Sequence, residues 1–156
     1  MRRKDREVTN INEIYKVIDE CNCCRVGFID EGQVYIVPLS FGYTVDSDVI
    51  TLYFHSAMTG RKIDLAKKKP NVGFEMDCGQ QLQTGEVACD YSTNFKSVIG
   101  NGEISIVDNK EEKILALQKL MQQHTSKSDW EFDTKMLDVT CILKLVVSNI
   151  SCKCKL

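Results

Sequence analysis

The sequence predicts a mainly β fold, an antiparallel barrel with helices packed outside it, built by a single domain over residues 1–156. Two observations predict it. About six β-rich runs follow one another, and the early ones are joined by connections too short for the crossover helix that a parallel sheet needs. Two or three further segments place apolar residues at helical spacing, and helices beside an antiparallel sheet pack against its outside. A chain of 156 residues is about the size of one domain and buries a sizeable core without disulfides or metals.

The elements follow in order. Residues 10–21, "NINEIYKVIDEC", put Ile11, Ile14, Tyr15, Ile18 and Cys21 on one helical face, with Asn10 as cap and Glu13 three residues on. "RVGFID", the glycine turn "EGQ" and "VYIVPLSFGY" read as two strands, and "TVDSD" leads into a third, "VITLYFHS". After Gly60, "RKIDLAKKK" is a short helix with Ile63 and Leu65 or Ala66 inward, stopped by Pro70. "NVGFEMD" is a fourth strand. A polar stretch from Cys78 to Asn94 follows, and "FKSVIGNGEISIVD" resumes β character. Asp108 is placed to cap the helix "NKEEKILALQKLMQQH", with Ile114, Leu117 and Leu120 or Met121 facing the core. The loop "TSKSDWEFDTKML" leads to a last strand, "VTCILKLVVSNIS", with Val139, Cys141, Leu143, Leu145 and Val147 on one face.

Composition excludes several function classes. Twenty cations against 22 carboxylates give a formal charge of −2, so no global field recruits nucleic acid or an anionic membrane. Neither "RRKDR" nor "KKK" is interleaved with aromatics as a nucleic-acid surface would be. The cationic opening is followed by Asp5, Glu7, Asn10 and Asn12 where a secretion signal needs an apolar run, and no segment approaches the ~18 apolar residues that span a bilayer. A cytoplasmic protein is expected. In that compartment the eight cysteines are read as mostly free thiols. Their close pairs, C-x-C-C and C-x-C without histidine, do not match metal knuckles, and Cys141 reads as a small core hydrophobe.

One turn carries more chemistry than the rest. "YFHSAMTGRK", residues 53–62, offers an imidazole at His55, hydroxyls at Ser56 and Thr59, close backbone approach at Gly60, and the cations Arg61 and Lys62 at a helix start. A phosphate group wants this combination of helix-start amides, hydroxyl donors and fixed cations. Cations sit badly at the positive end of a helix unless an anion compensates. The bland alternative is a solvated helix start. "GNGEIS" begins like a dinucleotide fingerprint but lacks its third glycine and continues as a strand. His124 at a helix end reads as a surface residue, and Trp130 as a packing residue or a lid.

"MRRKDREV", "VYIVPLSFGY", "LYFHSAMTGRKIDL", "VGFEMD", "FKSVIGNGEISIV" and "EEKILALQKLM", in this order, resemble the pyridoxamine-phosphate-oxidase-like flavoproteins, and within them the nitroimidazole-resistance (Nim) branch. The likeness runs to about Met121 and is weaker beyond it. It implies a split β-barrel homodimer that binds FMN at the subunit interface. By the same resemblance His55, Ser56, Arg61 and Lys62 hold the phosphate. Val37, Pro38, Leu39 and Ser40 offer backbone groups to the ring edge, and Lys96 and Ser97 contact phosphate or ring. The tail "ISCKCKL" and Lys96, where arginine is commoner, depart from the pattern. Counterparts for the residues that hold pyridoxamine phosphate are not found.

The expected function is therefore that of an FMN-dependent oxidoreductase. It would pass electrons, with NAD(P)H as a transient donor, to a small aromatic oxidant such as a 5-nitroimidazole. Because the cofactor carries that chemistry, no catalytic constellation is required of the protein. The rival reading is a non-catalytic module that holds flavin or haem.

Overall fold

The computed structural model describes residues 3–125, 127 and 129–156. Met1 and Arg2 of the cationic opening, and Ser126 and Ser128 of the expected loop, lie outside the described residues. In chain order the elements are β1 (Glu7–Val8), α1 (Ile11–Glu20), β2 (Cys24–Asp30), β3 (Gln33–Leu39), β4 (Gly42–Asp46), β5 (Val49–Ala57), α2 (Arg61–Lys68), β6 (Asn71–Gln83), β7 (Ser92–Val107), α3 (Lys110–His124), α4 (Thr134–Val139) and β8 (Thr140–Lys155).

All strand pairs are antiparallel, in the order β3-β2-β6-β7-β8-β5-β4, with β1 on the far half of β8. Two hairpins are closed by two-residue turns with positive φ throughout, Glu31–Gly32 (51° and 86°) and Ser47–Asp48 (48° and 67°). Such turns match the right-handed twist of their strands. The hairpins β2–β3 and β4–β5 stand at opposite edges of the sheet, yet only Ser40 and Phe41 join them. Leu39 and Gly42 are three Cα steps apart, at most about 11 Å. The sheet must therefore curl until its edges face each other. No ladder joins β3 to β4, so the barrel is split along that seam rather than closed.

The interior follows from alternation. On β8, Cys141, Leu143 and Leu145 face inward with Leu52 and Phe54 of β5, Val26 and Phe28 of β2, and Phe74 and Met76 of β6, all at most 5% exposed. Helix α1 adds Ile14, Val17 and Ile18 to this core, and Asn10 caps it by accepting the Asn12 amide at 2.9 Å. Helix α3 lies outside, where Ala116 packs on Tyr53, Val107 and Ile142. It approaches β4 so closely that a Cβ on Gly42 would lie 2.3 Å from the Leu120 nitrogen.

The structure corrects several boundaries. "VYIVPLSFGY" is not one strand, because Ser40 and Phe41 cross the seam, and Thr44 to Asp46 belong to β4 rather than to a connection. The polar stretch after Cys78 is largely strand, for β6 runs to Gln83 and pairs with Ser92–Asn94 in a two-stranded arm. The β6 half of that arm is exposed at every residue from Gly79 to Gln83, which erases the alternation that marks a strand in sequence. The cap of α3 is Asn109, whose side chain accepts the Glu112 amide at 2.8 Å, not Asp108, and its buried residues are Ala116 and Leu120. The segment before the last strand contains α4, capped by Asp133, and Val139 ends that helix in solvent instead of opening the strand.

Candidate functional site

The turn after β5 is built by its own residues. Gly60 has φ 129° and ψ 167°, outside the range of L side chains, and caps α2 without a side-chain hydrogen bond. Its carbonyl accepts Ile63 and Asp64 amides at 2.9 and 3.1 Å. The amides of Arg61 and Lys62 belong to the first turn, where an α-helix offers its N–H groups no internal acceptor. Ile63, Leu65 and Ala66 anchor the helix in the core, so its start cannot drift.

Ser56 projects inward at the end of β5, 9% exposed, and its hydroxyl is shielded from solvent with no protein partner. Buried polar groups are nearly always hydrogen-bonded, so this hydroxyl is an open valence facing the α2 end of the barrel. Opposite it on β8 lies Cys141. Burial above all pushes the Cys141 thiol up, with the Asp108 carboxylate adding to it and Lys113, Lys67 and Lys62 acting the other way. Lys113 also donates to the Thr140 carbonyl at 3.3 Å. Among the described residues Lys62 has no ion-pair partner.

Arg61 ties this end to the split edge. Its Nε and terminal nitrogen reach Asp30 Oδ2 of β2 at 2.7 and 2.6 Å, and its guanidinium lies 4.2 Å from the ring centre of Tyr35 on β3. From Tyr35 the strand runs through Val37, Pro38 and Leu39 to Ser40. Tyr35, Val37 and Leu39 pack on the core while Pro38 and Ser40 are exposed. Because β3 pairs only with β2, its other edge offers unpaired backbone groups to the seam, and Pro38, which has no N–H, suits an edge strand.

Not all the residues expected to act together meet. Strand alternation turns His55, exposed, to the face opposite Ser56. Lys96 and Ser97 lie at the other end of the sheet: Lys96 is opposite Cys154, Ser56 is opposite Cys141, and the intervening stretch of β8 is roughly 40 Å long when extended. Lys96 is there engaged with both oxygens of Glu20 at 2.6 Å. Within one subunit neither joins the α2 cluster. His124 is exposed at the end of α3, and Trp130 donates to the Lys127 carbonyl at 3.1 Å with the Lys127 ammonium 4.6 Å from its ring centre. The sequence reading missed Asp30 and Tyr35, whose proximity to Arg61 is non-local.

On the outer face of β2, β3 and β6 lies a shallow cavity of about 400 Å³. Gly27 and Gly73, paired across the ladder, form its floor, and Val34 (71% exposed) and Ile36 (60%) form its wall. Ile29 and Ile99 extend the apolar surface.

Comparison with known proteins decides the family. Residues 10–153 match the profile described as pyridoxamine 5'-phosphate oxidase. The chain belongs to the pyridoxamine 5'-phosphate oxidase family. No curated protein matches it significantly. Among solved structures it is similar to a protein of Bacteroides thetaiotaomicron described as a candidate 5-nitroimidazole antibiotic resistance protein. The two are 28% identical with a TM-score of 0.81, over 94% of this chain and 85% of the other. The flavocytochrome Anf3 of Azotobacter vinelandii matches with a TM-score of 0.81 at 17% identity, over 100% and 72% of the two chains. The FAD and heme binding protein of Mycobacterium smegmatis matches with 0.79 at 15%, over 96% and 73%. These last two likenesses show the fold, the mainly β split barrel expected from sequence.

Among the described residues, no helix is long and apolar enough to cross a membrane, and no group of three or more histidine, cysteine or acidic side chains is placed to hold a metal ion.

Proposed function

We propose that this family member is an FMN-binding flavoprotein that passes electrons to a small aromatic oxidant such as a 5-nitroimidazole. The observation that carries the reading is the orphaned Ser56 hydroxyl, buried at the end of β5 four residues before the Gly60 cap of α2, whose first turn carries Arg61 and Lys62. That donor set suits a phosphate monoester, which takes hydroxyl and amide hydrogens on its oxygens and cations around them. Arg61, already stacked on Tyr35, marks the way from the anion end to β3, whose unpaired edge from Val37 to Ser40 offers backbone donors and acceptors to a ring. When bound, FMN supplies hydride and single-electron chemistry.

In this reading the chain's own residues bind and orient. Ser56, Lys62 and the α2 amides would hold the phosphate, and Arg61, now paired with Asp30, would add its guanidinium to the same group. Val37 and Leu39 keep the apolar side of the slot dry. The outer apolar face with Val34 and Ile36 suits a second copy of the chain, and a homodimer would close the open side of the slot. Lys96 and Ser97, remote within one subunit, would reach the ligand only from that second copy. The choice of a nitroimidazole rests on the family resemblance and on the 28% identical relative.

The test begins with the purified protein's spectrum. Flavin bands, with FMN bound much more tightly than riboflavin, support the phosphate site; a Soret band and no flavin would overturn it. NADH or NADPH should then bleach the flavin anaerobically, and a nitroimidazole should restore its colour as the nitro absorbance falls. Flavin that stays reduced for minutes beside an unchanged drug would leave a cofactor-holding protein without this activity.

A further inference from the structure

Asp30 is the last residue of β2, beside the Glu31–Gly32 turn that leads into β3, and Arg61 is the first residue of α2. Their pairing is one-sided. Two guanidinium nitrogens, Nε at 2.7 Å and a terminal nitrogen at 2.6 Å, converge on a single carboxylate oxygen, Oδ2. Guanidinium and carboxylate hold each other best as a fork on a fork, with two parallel hydrogen bonds to two oxygens. Among the described residues, Oδ2 is the only Asp30 oxygen in a hydrogen bond or an ion pair, so the fork of Arg61 is half used.

A cation in the first turn of a helix stands at the positive end of the macrodipole and needs an anion beside it. Asp30 is that anion, brought from 31 positions earlier in the chain. The pair is open to solvent, with the Arg61 side chain 54% exposed and that of Asp30 26%. It borders a cavity of about 490 Å³ that Glu31, Asp64, Lys68 and Lys69 also line, so a dissolved anion can reach it. A phosphate monoester carries more charge than a carboxylate and offers the fork two oxygens. The Tyr35 ring, 4.2 Å from the guanidinium, can keep its place while the anion changes.

We propose that Asp30 is an internal competitor for Arg61: it holds the guanidinium in an autoinhibitory ion pair that an incoming phosphate monoester must break. It thereby lowers the affinity for phosphate-bearing ligands and leaves the binding of the ring unchanged. The inference rests on the reading of the α2 end as a phosphate site, where Ser56 and Lys62 act beside Arg61. Breaking a partly exposed ion pair weakens a ligand about two- to fivefold.

The experiment compares flavins on variants of the full chain by fluorescence titration. Asp30→Asn keeps an acceptor for the guanidinium and removes the charge, so it should bind FMN about two- to fivefold more tightly than wild type and riboflavin equally. In an Arg61→Gln background the same change should leave FMN affinity where it was, because the competition has lost its object. A tightening that survives in that background would assign the effect to general charge and overturn the proposal. An Asp30→Asn variant that binds FMN as wild type does, or more weakly, would overturn it too. Wild-type protein that binds FMN no better than riboflavin would overturn the phosphate reading and this proposal with it, so the two failures are distinct. Should the variant not fold, the carboxyl carbon resonance of Asp30 in labelled wild-type protein decides: it should shift with FMN and stay with riboflavin, and a resonance indifferent to FMN refutes the exchange.

Discussion

Replacing Ser56 with alanine should move stability and affinity in opposite directions. In the free protein the Ser56 hydroxyl is buried without a partner, a condition that costs about 1–3 kcal/mol. Alanine keeps the Cβ and removes only the oxygen, so the cavity it leaves is small and the desolvation cost disappears. A net gain of about 1 kcal/mol is expected, which raises Tm by roughly 2–4 °C for a chain of this length. If the hydroxyl donates to a phosphate oxygen, the same change removes a hydrogen bond to a charged group. That loss, about 1.5–3 kcal/mol, weakens FMN roughly 10- to 150-fold. Riboflavin, which lacks the phosphate, should bind both proteins equally. Thermal melts of flavin-free protein and fluorescence titrations with the two flavins measure the three quantities. A variant that melts lower and binds FMN as before would show that the hydroxyl has an internal partner and faces no phosphate.

Gly42→Ala drives a Cβ to within 2.3 Å of the α3 backbone at Leu120 and Lys119, where no side chain can yield; a cost of about 3 kcal/mol should lower the urea midpoint by roughly 1–3 M. Burial above all raises Tyr53, and the Glu112 carboxylate at 2.6 Å above all raises Lys144. Both groups thus hold protons more tightly folded than unfolded, so their contribution is full below about pH 10 and declines as pH rises through the raised folded values. Tyr53→Phe should flatten the alkaline fall of Tm, and an unchanged slope would assign the fall elsewhere. Ile36→Lys, placing a charge on the outer apolar face, should convert a dimer to a monomer in sedimentation; a dimer of undiminished affinity would put the subunit contact on another surface.

What the sequence made legible was local. Gly60 before "RKIDLAKKK" and Pro70 after it bracket α2, and the alternating Cys141, Leu143 and Leu145 mark the inner face of β8. Elements without alternation were hidden: the β6–β7 arm, whose β6 half is exposed throughout, reads as polar loop, and the Thr44–Asp46 part of β4 reads as turn. At the site, Ser56, Arg61 and Lys62 stand out because one turn carries them. That Arg61 faces Asp30 and Tyr35, 31 and 26 positions earlier, depends on the curl of the sheet, which no local pattern encodes. The orphaned state of Ser56 is likewise a property of its burial. The separation of Lys96 from that turn follows from the register of β7 on β8.

The two-residue link at Ser40 and Phe41 also shapes how the chain folds. Hairpins β2–β3 and β4–β5 form locally and are coupled at once, but neither can complete its pairing until β6, β7 and β8, made later in the chain, fill the space between β2 and β5. Both seams, β2 with β6 and β5 with β8, join residues far apart in sequence. Closing such loops must be paid for in entropy before pairing rewards it, which places folding in the slow millisecond-to-second range of non-local β topologies. Until those strands arrive, the inner edges of β2 and β5 stand open, and the nascent protein is most exposed to pairing with another chain at the two positions that the native sheet hides in its middle.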